Sequence, residues 1–198
     1  MNTNTLSAIV TVGDGRGFAV EHAGNRLVVT AAHCLPFFPP CHGASYLEER
    51  TYGALLAILD REPAICAECL FADPIADIAV VESPDNQELG DEADAYEALV
   101  ESVTPIAIAE APEKGRAWLL SLEQKWFQCT VEYINDGPLW ISESAQPIVG
   151  GMSGSPIISD EGMAIGVVCL GGGEQHAGGP NPRLVRDLPG WLARPIHR

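Results

Sequence analysis

Three short segments hold residues whose types could do chemistry together. Val28-Val29-Thr30-Ala31-Ala32-His33-Cys34 ends an apolar run on a histidine, and Ala76-Asp77-Ile78-Ala79-Val80-Val81 opens another on an aspartate. Gly150-Gly151-Met152-Ser153-Gly154-Ser155-Pro156 sets a serine among glycines. Each has a plainer reading when taken singly: a structural histidine, a turn or cap aspartate, a tight turn. Together they supply what acyl transfer needs. A serine hydroxyl is a weak nucleophile and needs a base. An imidazole titrates near neutral pH, and a carboxylate fixes its tautomer and steadies its charge. The oxyanion that develops needs fixed N–H donors, which a glycine-rich turn leaves free. His33, Asp77 and Ser153 follow in that order, 44 and then 76 residues apart. Ser155 stands where a G-x-S-x-G elbow would have its last glycine, which disfavours an α/β-hydrolase. Asp73 is the competing carboxylate, but it precedes Pro74, a turn-like context.

The elements that must carry these residues read as strands. Short apolar runs lie at 7–12, 18–20, 27–30, 54–59, 78–81, 106–109, 117–120, 156–158 and 164–170, punctuated by 20 Gly and 15 Pro. Runs of this length between turn residues fit strands better than helices. Many such strands predict a barrel or sandwich. Two segments differ. Residues 82–101 hold eight acids and no Lys or Arg, which reads as a solvated connection, partly helical over 92–100. Leu184–Leu192 is short, amphipathic and broken at Pro189, and predicts a terminal helix packing Leu184, Leu188 and Trp191 on the body.

Thr30–Cys34 (TAAHC), Asp77–Val81 (DIAVV) and Gly151–Pro156 (GMSGSP) resemble the three triad motifs of the chymotrypsin-like (trypsin-like) serine peptidases, most of all compact bacterial members with a GxSGSP motif. The order and spacing of the three match such proteins. Gly15–Val20 with Arg26–Thr30 resembles the strand pair before the catalytic histidine, and Gly162–Gly171 the pair after the catalytic serine. The resemblance covers roughly residues 6–180. It implies an all-β fold of two packed six-stranded antiparallel β-barrels, here with a short C-terminal helix. The expected organisation is a first barrel over 1–83, an acidic connection over 84–103, a second barrel over 104–182 and a helix and tail over 183–198.

The resemblance also implies roles. His33 is general base then acid, Asp77 its orienter and Ser153 the nucleophile, with an oxyanion hole from the N–H groups of Gly151 and Ser153. Cys169, Leu170 and Gly171 match the strand that pairs with substrate and walls the specificity pocket. That strand usually begins with Ser, so Cys169 weakens a hydrogen bond to the aspartate. Pro147 takes the pocket-base position and carries no charge, which disfavours a preference for Lys or Arg. Glu174 and His176 have no firm alignment and read as loop residues. In zymogen-type relatives an Asp before the serine pairs with a freed N-terminal ammonium. Met152 stands there and offers no charge, so activity is expected not to depend on a free N-terminus. Substrate, packing or a regulatory protein partner is left to shape the oxyanion segment.

The six cysteines leave several readings open. Cys34 lacks the usual partner on the preceding strand. Buried free thiols, a Cys34–Cys41 disulfide, and a zinc site from Cys41, His42, Cys66 and Cys69 all remain. Residues three apart on a strand face opposite ways, so a strand through Cys66-Ala67-Glu68-Cys69 could not readily chelate. The start, MNTNTLSAIV, has neither a basic nor a long apolar region, so no signal peptide is expected and the predicted compartment is the cytoplasm.

Composition narrows the classes. A chain of 198 residues buries roughly 70% of its unfolded surface without staples. With 46% hydrophobic and 19% charged residues it is not disordered. A net charge of −16 argues against nucleic acid as a partner, and no apolar run reaches the roughly 18 residues of a membrane span. The leading expectation is a serine endopeptidase acting on a protein or peptide, with no cofactor and no metal. A peptide-binding module on the same fold and a zinc or redox protein built on the CxxC are the alternatives.

Overall fold

The computed structural model describes residues 3–40, 49–169 and 177–193. After a 3-10 turn over Thr3–Ala8 come β1 (Ile9–Val12), β2 (Gly15–His22), β3 (Asn25–Thr30), β4 (Thr51–Ile58), β5 (Ile65–Asp73) and β6 (Ile78–Glu82). These close into an antiparallel barrel in the order β1-β2-β3-β6-β5-β4. The β2–β3 hairpin turns on Ala23 and Gly24, both at positive φ (52° and 85°), the pairing whose twist matches two antiparallel strands. α1 (Gly90–Ser102) follows. The second half holds β7 (Lys114–Leu120), β8 (Trp126–Glu132), β9 (Leu139–Ser144), β10 (Pro156–Ser159), β11 (Ala164–Val167) and β12 (Gly178–Asn181). They form a six-stranded sheet ordered β11-β10-β7-β8-β9-β12. Among the described residues, the segment after β12 reaches β11 through a bridge between Arg183 and Gly166 and the Val167 N–H to the Pro182 carbonyl (3.3 Å), and the sheet is a half-barrel beside the closed one. This is the chymotrypsin-like fold.

The apolar runs at 9–12, 18–20, 27–30, 54–58, 78–81, 117–120, 156–158 and 164–167 lie in strands. Residues 106–109 do not. Ile106 N–H donates to Ala19 of β2, and Ala109 N–H to Ala164 of β11 (2.8 and 2.9 Å). That stretch is a strap between the barrels, with one isolated bridge from Ile108 to Ala164. Ser7 and Ala8 belong to the opening 3-10 turn rather than to β1.

α1 is longer than expected. It turns Tyr96, Leu99 and Val100 inward and its acids outward. The Tyr96 hydroxyl lies 3.1 Å from the carbonyls of Arg26 and of Val81, and Arg26 Nη1 donates to Val100 (2.6 Å) and Val103 (3.1 Å) at the helix end. The connection is thus fastened to the first barrel. At the C-terminal end, α2 (Leu184–Asp187) and α3 (Gly190–Ala193) break at Pro189. Leu184, Leu188 and Leu192 are buried, but Trp191 is 54% exposed, its ring edge-on to His22. The inward position falls to Leu192, four residues on from Leu188.

Candidate active site

His33 sits in a 3-10 turn, Ala32–Cys34, directly after β3. Asp77 directly precedes β6. Strands β3 and β6 pair antiparallel with Thr30 opposite Ala79, so the end of one and the start of the other lie together. The contact is double. The His33 N–H donates to Asp77 Oδ1 (3.0 Å), and His33 Nδ1 lies 2.7 Å from Asp77 Oδ2. A carboxylate there accepts the Nδ1 proton and leaves Nε2 as the acceptor facing outward. Asp77 reaches this pose at φ 58°, a left-handed conformation that Asp tolerates better than most residues. Asp73 is engaged elsewhere: its Oδ1 accepts the N–H groups of Ile75 (2.8 Å) and Ala76 (3.0 Å) and caps the turn.

Ser153 comes from the second barrel, on the turn leading into β10. Its carbonyl accepts the Arg16 N–H of β2 (2.8 Å). A Cβ placed on Gly15 would stand 2.6 Å from Cys34 Sγ and 2.8 Å from the Ser153 carbonyl. Only a bare glycine backbone therefore separates the serine from the residue after His33. Gly154, at φ 81°, has its α-carbon against the Arg16 carbonyl, where any side chain would collide. Ser155 is fully buried, and its hydroxyl has no partner among the described residues.

The Gly150–Ser153 segment is a tight turn. Met152 N–H donates to Val149 (3.2 Å), with Gly151 at φ 85°. Among the described residues neither the Gly151 nor the Ser153 N–H is taken by an acceptor. Met152 is 1% exposed within the second core, and its sulfur accepts the Val149 N–H (3.5 Å).

The Trypsin-like peptidase domain family matches residues 15–167, a stretch containing His33, Asp77 and Ser153. The chain belongs to the trypsin-like peptidase family. No curated protein matches its sequence. Among solved structures it is similar to the serine protease domain of the Sesbania mosaic virus polyprotein, at 15% identity and TM-score 0.56, over 87% of this chain and 85% of that one. A structure from work on coupled folding and binding of the disordered Sesbania mosaic virus VPg protein matches at 16% identity and TM-score 0.56, over 87% and 83%. The Rv3671c protease in its inactive form matches at 16% identity and TM-score 0.50, over 84% and 79%. At these identities the likeness is one of fold.

In this trypsin-like peptidase the Cys169 side chain reaches the main chain of Asp77 rather than its carboxylate. Its thiol donates to the main-chain carbonyl of Asp77 (3.4 Å), and its N–H to Asn181 Oδ1 (2.8 Å). Burial, with the Asp77 charge second, pushes this thiol far up, so it is a neutral donor. Asn181 is fully buried and also donates to the Leu139 carbonyl (3.0 Å), which pins Cys169 to β9. In the sequence it sits in GGPNP and reads only as a turn. Pro147 is exposed, between β9 and the glycines. Leu170, Gly171, Glu174 and His176 lie outside the described residues, as do Cys41 and His42. Cys34, Cys66, Cys69, Cys129 and Cys169 are free and buried. Among the described residues no three His, Cys, Asp or Glu side chains group as metal ligands, and no helix is long and apolar enough to cross a membrane.

Proposed function

We propose that this peptidase is a serine endopeptidase that hydrolyses peptide bonds in a protein or peptide through an acyl-enzyme on Ser153. The observation that carries the reading is the double contact of His33 with Asp77, at 3.0 and 2.7 Å, on the barrel face against which Ser153 is held. His33 Nε2 takes the Ser153 hydroxyl proton as Oγ attacks the scissile carbonyl. The free N–H groups of Gly151 and Ser153 receive the oxyanion. Imidazolium then gives its proton to the leaving amine. Water, deprotonated by the same nitrogen, releases the acyl group and restores Ser153. Asp77 stays ionised and stabilises the imidazolium. Cys169, Leu170 and Gly171 pair with substrate, and Pro147 leaves the pocket base uncharged.

Met152, packed among apolar side chains, has no charge with which to hold an N-terminal ammonium, and an unpaired ammonium there would cost several kcal/mol. Activity is therefore independent of a free N-terminus, and packing, substrate or a regulatory protein partner shapes the oxyanion turn. The test is labelling by a fluorophosphonate. Wild-type protein, with or without an N-terminal tag, labels. Ser153→Ala does not, while Ser155→Ala does. Ser153→Ala and His33→Ala each lower kcat by about 10⁴–10⁶. Labelling retained in Ser153→Ala, or a folded wild type that never labels, overturns the reading. The second result leaves a peptide-binding module.

A further inference from the structure

Arg16 stands between Gly15 and Gly17 on β2, and its side chain is 3% exposed. It leaves the first barrel and ends in the second. Nη1 donates to the carbonyls of Leu120 (3.2 Å) and Ser121 (2.9 Å), and Nη2 to that of Leu122 (3.4 Å). Nη2 also lies 3.5 Å from Asp60 Oδ1, in the β4–β5 turn. Asp60 Oδ2 in turn accepts Gln124 Nε2 (2.7 Å). One guanidinium thus gathers three successive carbonyls at the start of the β7–β8 turn and ties them to the first barrel through a carboxylate.

The same residue touches the reaction segment twice. Its main chain holds Ser153 directly, through the Arg16 N–H, while its carbonyl accepts Thr30 Oγ1 (2.7 Å) and abuts Gly154. Its guanidinium holds the Leu122 carbonyl, and the Leu122 side chain, 42% exposed, lies over Gly151, where an added Cβ would stand 3.4 Å from Cδ2. Gly151 and Ser153 are the two proposed oxyanion donors, and Arg16 is connected to both. A buried cation is a poor way to gain stability alone, since a well-packed apolar side chain often does as well. A planar fork with fixed donor directions is a good way to fix position.

We propose that Arg16 is a positioning residue for the reaction. Its guanidinium sets the 121–125 turn, and through Leu122 the Gly151 N–H, relative to Ser153. The inference rests on the proposed role of Ser153. It gives the chain an internal brace for the oxyanion turn where Met152 offers no charge.

The test measures fluorophosphonate labelling rate, kcat and KM for p-nitrophenyl acetate, and thermal melting, in wild type, Arg16→Met, Arg16→Lys and Ser153→Ala. All assays run well below each variant's Tm. Arg16→Met is expected to lose about 30- to 300-fold in kcat and in labelling rate, with KM within about threefold, because donors used in the transition state are misplaced. Arg16→Lys, which keeps one donor but loses the planar fork, recovers most of that loss and stays about three- to tenfold below wild type in kcat. A folded Arg16→Met with wild-type kcat overturns the proposal, as does a loss carried by KM alone. If Arg16→Met does not fold, Arg16→Lys decides: a kcat about three- to tenfold low at unchanged KM supports the proposal, and a wild-type kcat overturns it. A folded wild type that neither labels nor turns over sinks the Ser153 reading and this one with it. Labelling in wild type and Arg16→Met alike sinks only this one.

Discussion

Asp73 and Asp77 lie on one turn and accept from different donors. Asp73 takes two turn N–H groups, whereas Asp77 takes the main-chain and ring nitrogens of His33. Asp77→Asn presents an amide to Nδ1 and favours the wrong imidazole tautomer. Steady-state kinetics should show kcat lower by about 10⁴. Asp73→Asn keeps an acceptor oxygen for the turn and should stay near wild-type turnover. Turnover reversed between the two variants would exchange their roles. The proposed triad of His33, Asp77 and Ser153 stands out in the sequence because each lies beside a recognisable strand end or glycine turn. Arg16 and Asn181 were not. The Arg16 partners are 104 to 106 residues away in the chain, and nothing local in a Gly-Arg-Gly step announces them. Cys169 was legible as a departure, but which oxygen its thiol would reach depends on how β6 and the segment after β11 approach.

Helix α1 shows what element patterning can and cannot reveal. Its acids drew attention to the solvated face, while the three buried residues, Tyr96, Leu99 and Val100, follow i, i+3, i+4 spacing. The Tyr96 hydroxyl between the Arg26 and Val81 carbonyls makes this helix part of the first barrel. Tyr96→Phe keeps the packing and removes the hydroxyl from both carbonyls. It should cost about 1–2 kcal/mol in urea unfolding with kcat unchanged; an unchanged midpoint would mean that the hydroxyl carries no net stability. Strands buried on both faces, such as β3 and β6, read plainly as apolar runs. Strand β8 did not, because it alternates Phe127, Cys129 and Val131 with Gln128, Thr130 and Glu132. Strand β5 reads only as a conditional strand through Cys66–Cys69, because Glu68 interrupts the apolar run; that residue is fully buried but paired with Arg50 at 2.5 Å. Strand β12, Gly-Gly-Pro-Asn, has no apolar residue to find.

Across the whole molecule the buried thiols link stability to pH. Burial pushes Cys34 and Cys69 up to about 11 and Cys129 up to about 12, from an ordinary value near 9. The folded chain keeps these protons where the unfolded chain loses them. Their contribution is complete below pH 9 and is lost as pH rises toward 11. Thermal melts should therefore fall between pH 8 and pH 10.5, and the five described thiols should react slowly with a disulfide reagent in native protein at pH 8. Rapid native reaction of all of them would contradict the burial. The larger core runs across both halves, with Leu120, Ile158, Ala164 and Val167 packed in one cluster with the closed barrel, and the halves also meet at Ser153 and Gly154. Those neighbours answer to different selections. Position 153, as proposed, is held by turnover. Position 154 is held by the Arg16 carbonyl, which leaves no room for a side chain whether or not a bond is ever cut. A lineage that abandoned the reaction would let the serine drift and keep the glycine, so the second of these two letters outlasts the first.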